Sequence, residues 1–448
     1  MTKANDLTGW FLLAIIVLSP IPLGNNPPVF WAIAGTLVGT AAAAYLAFAA
    51  RSREGLRVPF RPLRPFIVPG AVLCLWLLIQ TVPLGSFMGP FVFSGAAGQV
   101  VASETLSLAP GSTWMMLVRM LTYGLIFFLA AQVGANDKRA RWMLVVVFWA
   151  IVVHAAFGLF QLTQLNDTIL GFEKKHYLGV ATGTFINRNS YATFLAMGLT
   201  IGAALVARNV ISERARNERI GDLIYSVMVL IGGMFVIVIA LLATQSRMGF
   251  FAGVIGVVLV ALLTSRWLPR ARLVFPLLLI ALSAVAVGLA WYFGQGLLER
   301  VISLAGSSAD REAIYRQVLD MILERPWLGY GGGAFELAFP LFYGPPLSPE
   351  ILIDKAHSTY LTLVAELGIV AGLIPIGIVA WLFGRNAVGF WHDPDGAALR
   401  LAAMGVIAVG AIHSLVDFSL EMQANAILLV ALLGIGFASG RRPQGTSG

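Results

Sequence analysis

Apolar runs close to the length of a membrane-crossing helix recur along the whole chain, separated by polar, Pro-rich or Gly-rich breaks. They predict spans near residues 8–23, 28–50, 65–84, 112–133, 142–163, 190–208, 221–243, 248–264, 273–293, 358–384, 400–416 and 424–440. No soluble stretch is long enough to build a core of its own. The chain therefore reads as an all-α integral membrane protein with about 12 transmembrane helices, a single polytopic domain over residues 1–448. The first run, Trp10 to Ile21, follows one lysine and lacks a small-residue cleavage site, so it is expected to remain as an uncleaved helix.

Two longer polar segments interrupt the pattern, at about 164–189 and 294–357. In the second, Ser308 or Asp310 can cap a helix, Ile314, Val318, Met321 and Ile322 form its apolar stripe, and Pro326 stops it. Arg311 falls one turn before Tyr315 on the striped side, and Arg316 is rotated by roughly 140° from Arg311, so at most one of the two can point at a given ligand. The run Gly329-Tyr330-Gly331-Gly332-Gly333 has the composition of a hinge or lid. No Lys-Ser/Thr follows it, so it is not a phosphate loop.

Composition agrees with this pattern and removes several functions. The chain is 58% hydrophobic and 12% charged, against the roughly one-quarter charged residues of soluble domains. The single Cys74 rules out an internal disulfide and any multi-cysteine metal site. A formal charge of +8 could suggest nucleic acid, but the basic residues are dispersed among the linkers rather than gathered on one soluble face. Most fall in short linkers at 51–64, 134–141, 209–220 and 265–272 and in Arg441-Arg442, which the positive-inside rule places in the cytoplasm together with both termini. Positive charge on the opposite side, as at Lys174, Arg188, Arg247, Arg311 and Lys355, then needs a local reason such as an anion.

Candidate chemistry concentrates on that outer side. His357, where the long segment enters a hydrophobic helix, has an imidazole able to accept a hydroxyl proton near pH 7, or to bond a loop carbonyl as a structural group. His176 is its one external rival; His154 and His413 fall within spans, and His392 in a cytoplasmic linker. His413 and Asp417 are one helical turn apart and read either as a neutralised structural pair or as a site pair. Glu366 would sit on the face opposite His357 in a continuous helix, and its burial requires hydrogen bonds or water. Arg188 in GTFINRNSYATF and Arg247 in ATQSRMGFF lie at external helix boundaries, able to fork onto phosphate oxygens or to snorkel toward headgroups. The sole Asp-x-Asp string, Asp393-Pro394-Asp395 beside His392, reads as a cytoplasmic turn, and no metal or other cofactor is expected.

The order of these strings resembles the O-antigen ligase and polymerase family of lipid-linked glycan transferases, over about residues 65–440. The matching elements are Asn187-Arg188-Asn189 opening a middle span, Ser246-Arg247 with Gly249, an Arg in the long loop, the Arg325 to Gly331 run, His357-Ser358 with a downstream Glu366-Leu367-Gly368, and His413 to Asp417. The resemblance implies a bacterial inner-membrane glycosyltransferase with residues 294–357 as a periplasmic loop. It implies transfer of a glycan from undecaprenyl diphosphate to a glycan or lipid A–core acceptor in lipopolysaccharide or polysaccharide biosynthesis, without a metal and with inversion. By it Arg188, Arg247 and Arg311 would bind the diphosphate and His357 would activate or position the acceptor, with Glu366, Arg316, His413 and Asp417 as secondary candidates. A repeat-unit polymerase shares this donor chemistry. A lipid-linked glycan transporter or flippase is the alternative of a different class, but such proteins place polar groups near the midplane, whereas here they collect at one boundary.

Overall fold

The computed structural model describes residues 2–53, 55–216, 220–266, 297–348, 352–392 and 396–440. It is about 74% helical, so two small hairpins leave the all-α class intact. The first half contains α1 (Thr2–Leu18), α2 (Pro28–Arg51), α3 (Phe60–Thr81), α4 (Pro110–Gly134), α5 (Asp137–Gln164) and α6 (Arg188–Arg216). Then come α7 (Ile220–Ala243), α8 (Arg247–Ser265), α9 (Leu297–Glu324), α10 (Thr359–Leu367), α11 (Ile369–His392), α12 (Ala397–His413) and α13 (Gln423–Ala438). Among the described residues, eight helices are long and apolar enough to cross a membrane, and α12 and α13 are shorter apolar helices. The expected span 273–293 and the Asp393 to Asp395 turn lie outside the described residues.

Local chemistry sets the helix starts. Prolines occupy the first turns of α2 and α4, where no backbone donor is lost. Asn136 caps α5 by accepting from Arg139 N at 3.0 Å, and Ser246 caps α8 by accepting from Gly249 N at 3.3 Å. Small residues then let backbones approach. Cβ atoms at Gly249, Gly253 and Gly256 of α8 would meet Ala192, Ala196 and Thr200 of α6, and one at Gly434 of α13 would come 2.6 Å from the Phe127 carbonyl of α4. This packing leaves α6 the most buried of the eight long helices.

The long polar segment does not stand alone. Strands β1 (Phe91–Ser94) and β2 (Val100–Ser103) form an antiparallel hairpin between α3 and α4, and Ala96 N donates to Leu341 O at 2.9 Å. Phe93 joins Ile314, Val318, Met321, Tyr330 and Phe339 in a second core that caps the bundle. Helix α9 stops just before Pro326, and its stripe of Ile314, Val318, Met321 and Ile322 is buried in this core.

Three expectations change. Helix α9 already runs from Leu297, so Ser308 and Asp310 lie within it rather than at its cap. The span 358–384 is two helices, broken at Gly368, whose φ is +78°. The glycine run is not a loose hinge but a locked crossing. Gly331 N donates to Glu366 O at 2.9 Å, Gly332 N to Gln80 Oε1 at 3.1 Å, and Phe335 N to Glu366 Oε1 at 3.1 Å. Its glycines provide close approach rather than freedom: a Cβ on Gly331, at φ +107°, would overlap Ser107 Oγ. Gly331→Ala is therefore expected to cost about 3 kcal/mol through overpacking and backbone strain. A clearly lower thermal midpoint than that of Gly39→Ala, whose Cβ meets nothing within 4 Å, checks this; equal midpoints would contradict it.

Candidate active site

Three of the sequence strings meet at one mouth of the bundle. In Asn187-Arg188-Asn189 each side chain has a separate task. Asn187 Oδ1 accepts from the backbone N of Asn189 at 2.7 Å and of Ser190 at 3.3 Å, capping α6. Its Nδ2 donates to Tyr177 Oη at 3.2 Å, and the Arg188 guanidinium lies 5.6 Å from the Tyr177 ring. Asn189 Nδ2 donates to Asp417 Oδ1 at 3.1 Å, which ties the start of α6 to the loop after α12.

That loop also anchors the approach to α10. Ser358 Oγ donates to Ser414 O at 3.2 Å, and Thr359 N to Ser414 O at 3.1 Å and Asp417 O at 3.3 Å. His357 is held just before these anchors at φ +53°, a left-handed conformation uncommon outside glycine and one that clusters at functional sites. Its ring meets Phe418 edge-on with centroids 5.4 Å apart, and Tyr315 Oη of α9 donates to its carbonyl at 3.0 Å. His357 Nδ1 is buried with no hydrogen-bond partner among the described residues. Burial holds its pKa below the ordinary 6.5; Asp417 and Asp354 oppose that shift and Arg311 adds to it. The imidazole is thus neutral at pH 7 and able to accept a proton.

Arg311 of α9 carries its charge into the same cluster, where it acts on Tyr177, Tyr315, His357 and Asp417. Arg316 turns outward and pairs with Glu312 at 2.5 Å, both largely exposed. His413 and Asp417 are buried, with Nδ1 3.7 Å from Oδ2; Thr193 Oγ1 lies 3.0 Å from His413 Nδ1, and Ser419 Oγ donates to Asp417. Burial raises the Asp417 carboxyl, partly offset by the Ser419 and Asn189 hydrogen bonds.

The remaining candidates are placed apart from this cluster. Arg247 is exposed at the start of α8 and, among the described residues, has no contact with the cluster, although Gly249 two residues on packs against Ala192 of α6. Glu366 is buried but bonds the backbone of the glycine run, as described above. His176 is exposed, and its neighbour Tyr177 faces the site instead. Lys174 is a buried clamp that pairs with Asp167 and donates to Val180 O at 2.9 Å. Arg325 stacks 4.2 Å over Phe93 and donates to Val92 O at 3.0 Å and Gly329 O at 3.1 Å. Lys355 lies 3.5 Å from Glu421. Local structure thus accounts for these last three cations.

Comparison with known proteins bears on the same strings. The family model described as O-antigen ligase matches residues 232–376, a stretch that includes Arg247, Arg311, His357 and Glu366. The resemblance to the O-antigen ligase family holds. A curated relative, the general O-oligosaccharyltransferase of Acinetobacter baylyi (strain ATCC 33305 / BD413 / ADP1), is 26% identical over 275 residues, covering 59% of this chain and 44% of that protein. The chain thus matches less than half the length of this relative. Tyr177, Tyr315 and Asn189 belong to the site's geometry and were not singled out from the sequence; the Asn-Arg-Asn string was the available signal for Asn189, and the spacing to Arg311 the signal for Tyr315.

Proposed function

We propose that this protein is a glycosyltransferase of the O-antigen ligase kind, moving a glycan from an undecaprenyl-diphosphate donor to a hydroxyl acceptor on the periplasmic face of the inner membrane. The observation that carries this reading is the convergence of a neutral, partly unpartnered His357 with Arg188, Arg311 and Asp417 at one mouth. The relative's name, an O-oligosaccharyltransferase, supports oxygen as the acceptor atom.

In this reaction the acceptor oxygen attacks the anomeric carbon, the bond from that carbon to the diphosphate oxygen breaks, and the hydroxyl proton passes to the His357 imidazole. The departing diphosphate takes the electron pair of that bond. Its charge is met by Arg188 and Arg311, with Arg247 reaching in from the first turn of α8. A single displacement inverts the linkage. Asp417 positions this apparatus from behind: it is fixed by Asn189 and Ser419, and its negative charge favours the imidazolium that forms. Lipid A–core is the acceptor of the ligase reading; a repeat-unit polymerase would use the same groups on a growing glycan.

Two experiments test this. Deletion of the gene should make lipid-linked donor accumulate on the outer face of the membrane, whereas accumulation on the inner face would indicate a flippase. Cysteine at the exposed Asp320 of α9 should react with an impermeant thiol reagent in intact spheroplasts, and cysteine at Ser265 should not. The reverse pattern would invert the topology and remove the periplasmic assignment.

A further inference from the structure

At the end of the bundle opposite His357, α11, α12 and α13 enclose a crevice of about 510 Å³ that the transfer reaction does not use. Arg400 in its wall lies thirteen residues before His413 on the same helix, about 20 Å away along the axis. The volume falls in the range of small-molecule sites. Two guanidinium groups, Arg385 and Arg400, line it, and no acidic residue does so among the described residues. Arg385 stacks 4.4 Å from the Phe437 ring and 5.9 Å from that of Trp381, and among the described residues the charge that acts on it is the like charge of Arg400. Arg400 is buried and donates to the carbonyls of Gly389 at 2.7 Å and Ser439 at 2.8 Å.

The second observation is Asn386, which is 1% exposed and lines the same crevice. Its Nδ2 donates to Leu382 O at 2.8 Å, but its Oδ1 is buried with no partner among the described residues. An orphaned buried acceptor is costly unless a donor reaches it. The site therefore presents cations for an anion and, beside them, an acceptor for a hydroxyl. Its rim includes Trp381, 36% exposed, and Val388, 61% exposed, an apolar wall suited to acyl chains.

We propose that this crevice binds the headgroup of an anionic phospholipid that carries a free hydroxyl, of the phosphatidylglycerol type. The phosphodiester sits on Arg385 with Arg400 adding charge, and a headgroup hydroxyl donates to Asn386 Oδ1. Basic pockets between spans are where such headgroups dock.

The test uses the purified full chain in neutral detergent, titrated by native mass spectrometry with phosphatidylglycerol, phosphatidylethanol, phosphatidylcholine and glycerol 1-phosphate. Phosphatidylglycerol should bind saturably and at least about tenfold more tightly than phosphatidylcholine, as expected for a charge-assisted contact. It should also bind several-fold more tightly than phosphatidylethanol, which has the same charge and no hydroxyl. Arg385→Gln should remove the preference over phosphatidylcholine, and Arg385→Lys should keep part of it. Equal binding of phosphatidylglycerol and phosphatidylcholine by the unmodified protein would overturn the proposal without reference to any variant. An unchanged preference in Arg385→Gln would overturn the site, parity with phosphatidylethanol would overturn the role of Asn386, and displacement by equimolar glycerol 1-phosphate would make the ligand a soluble phosphate.

Discussion

His357→Ala is expected to lower glycan transfer by about 10²- to 10⁴-fold, the range for loss of a general base, while leaving the protein inserted and able to bind its lipid donor. The side chain makes no hydrogen bond through Nδ1 among the described residues, and the backbone around it is held by Tyr315 and by the Ser414 and Asp417 carbonyls. Truncation thus removes the imidazole without removing the anchors. Donor binding and acceptor glycosylation measured on the same purified variant should separate, with His176→Ala near normal in both. Loss of donor binding would instead make His357 part of the diphosphate site. The pH profile adds a test of sign. Because burial holds the imidazole below 6.5, the acid limb of kcat/KM should lie below pH 6.5. Asp417 raises the His357 pKa and Arg311 lowers it, so Asp417→Asn should move the acid limb to lower pH and Arg311→Gln to higher pH. Movement of both limbs in one direction would refute the arrangement of charges around the imidazole.

The sequence made the helices legible because each must be apolar over most of its length to cross lipid, and that requirement is local. It also brought Arg188, His357 and Asp417 forward, since an ionisable residue at a membrane boundary needs a reason. Partnership was far less legible. Nothing in the string LGYGGG distinguishes a hinge from a crossing point; the distinction lies in Ser107, Gln80 and Glu366, contributed by distant segments. Glu366 shows the same limit: hydropathy gives the cost of its burial, but not that the carboxylate is spent on Phe335 N. Lys174 invited an anion by its charge alone, yet Asp167 and the Val180 carbonyl account for it. The cap hairpin escaped notice because its strands are four residues long and cover one edge of the loop, too short for a period-two pattern to stand out.

Substitution of the arginines should also reduce transfer, though by less than loss of His357. Arg188→Lys keeps the charge but loses the planar fork that meets two phosphate oxygens at once. A charged hydrogen bond contributes on the order of 1.5–3 kcal/mol, or roughly 10- to 150-fold at 1.36 kcal/mol per decade. Arg188 is half-buried against Tyr177 at the capped start of α6, which places its guanidinium at the mouth before a donor binds. If it meets charge that develops on the leaving diphosphate, the loss falls mainly on kcat rather than on KM for the donor. Arg311→Lys should behave in the same way, because its charge is directed into the same cluster. If both groups act on one diphosphate, the double variant should lose less than the product of the single losses. Arg247 lies exposed at the start of α8, so in the proposed reaction it is drawn in with the donor, and Arg247→Lys should raise KM more than it lowers kcat. Steady-state rates with purified undecaprenyl-diphosphate glycan decide among these outcomes. Near-normal turnover by both Arg188→Lys and Arg311→Lys would mean that the two guanidinium groups serve the lipid interface and not the leaving group, and the transfer chemistry would have to be sought elsewhere at the mouth.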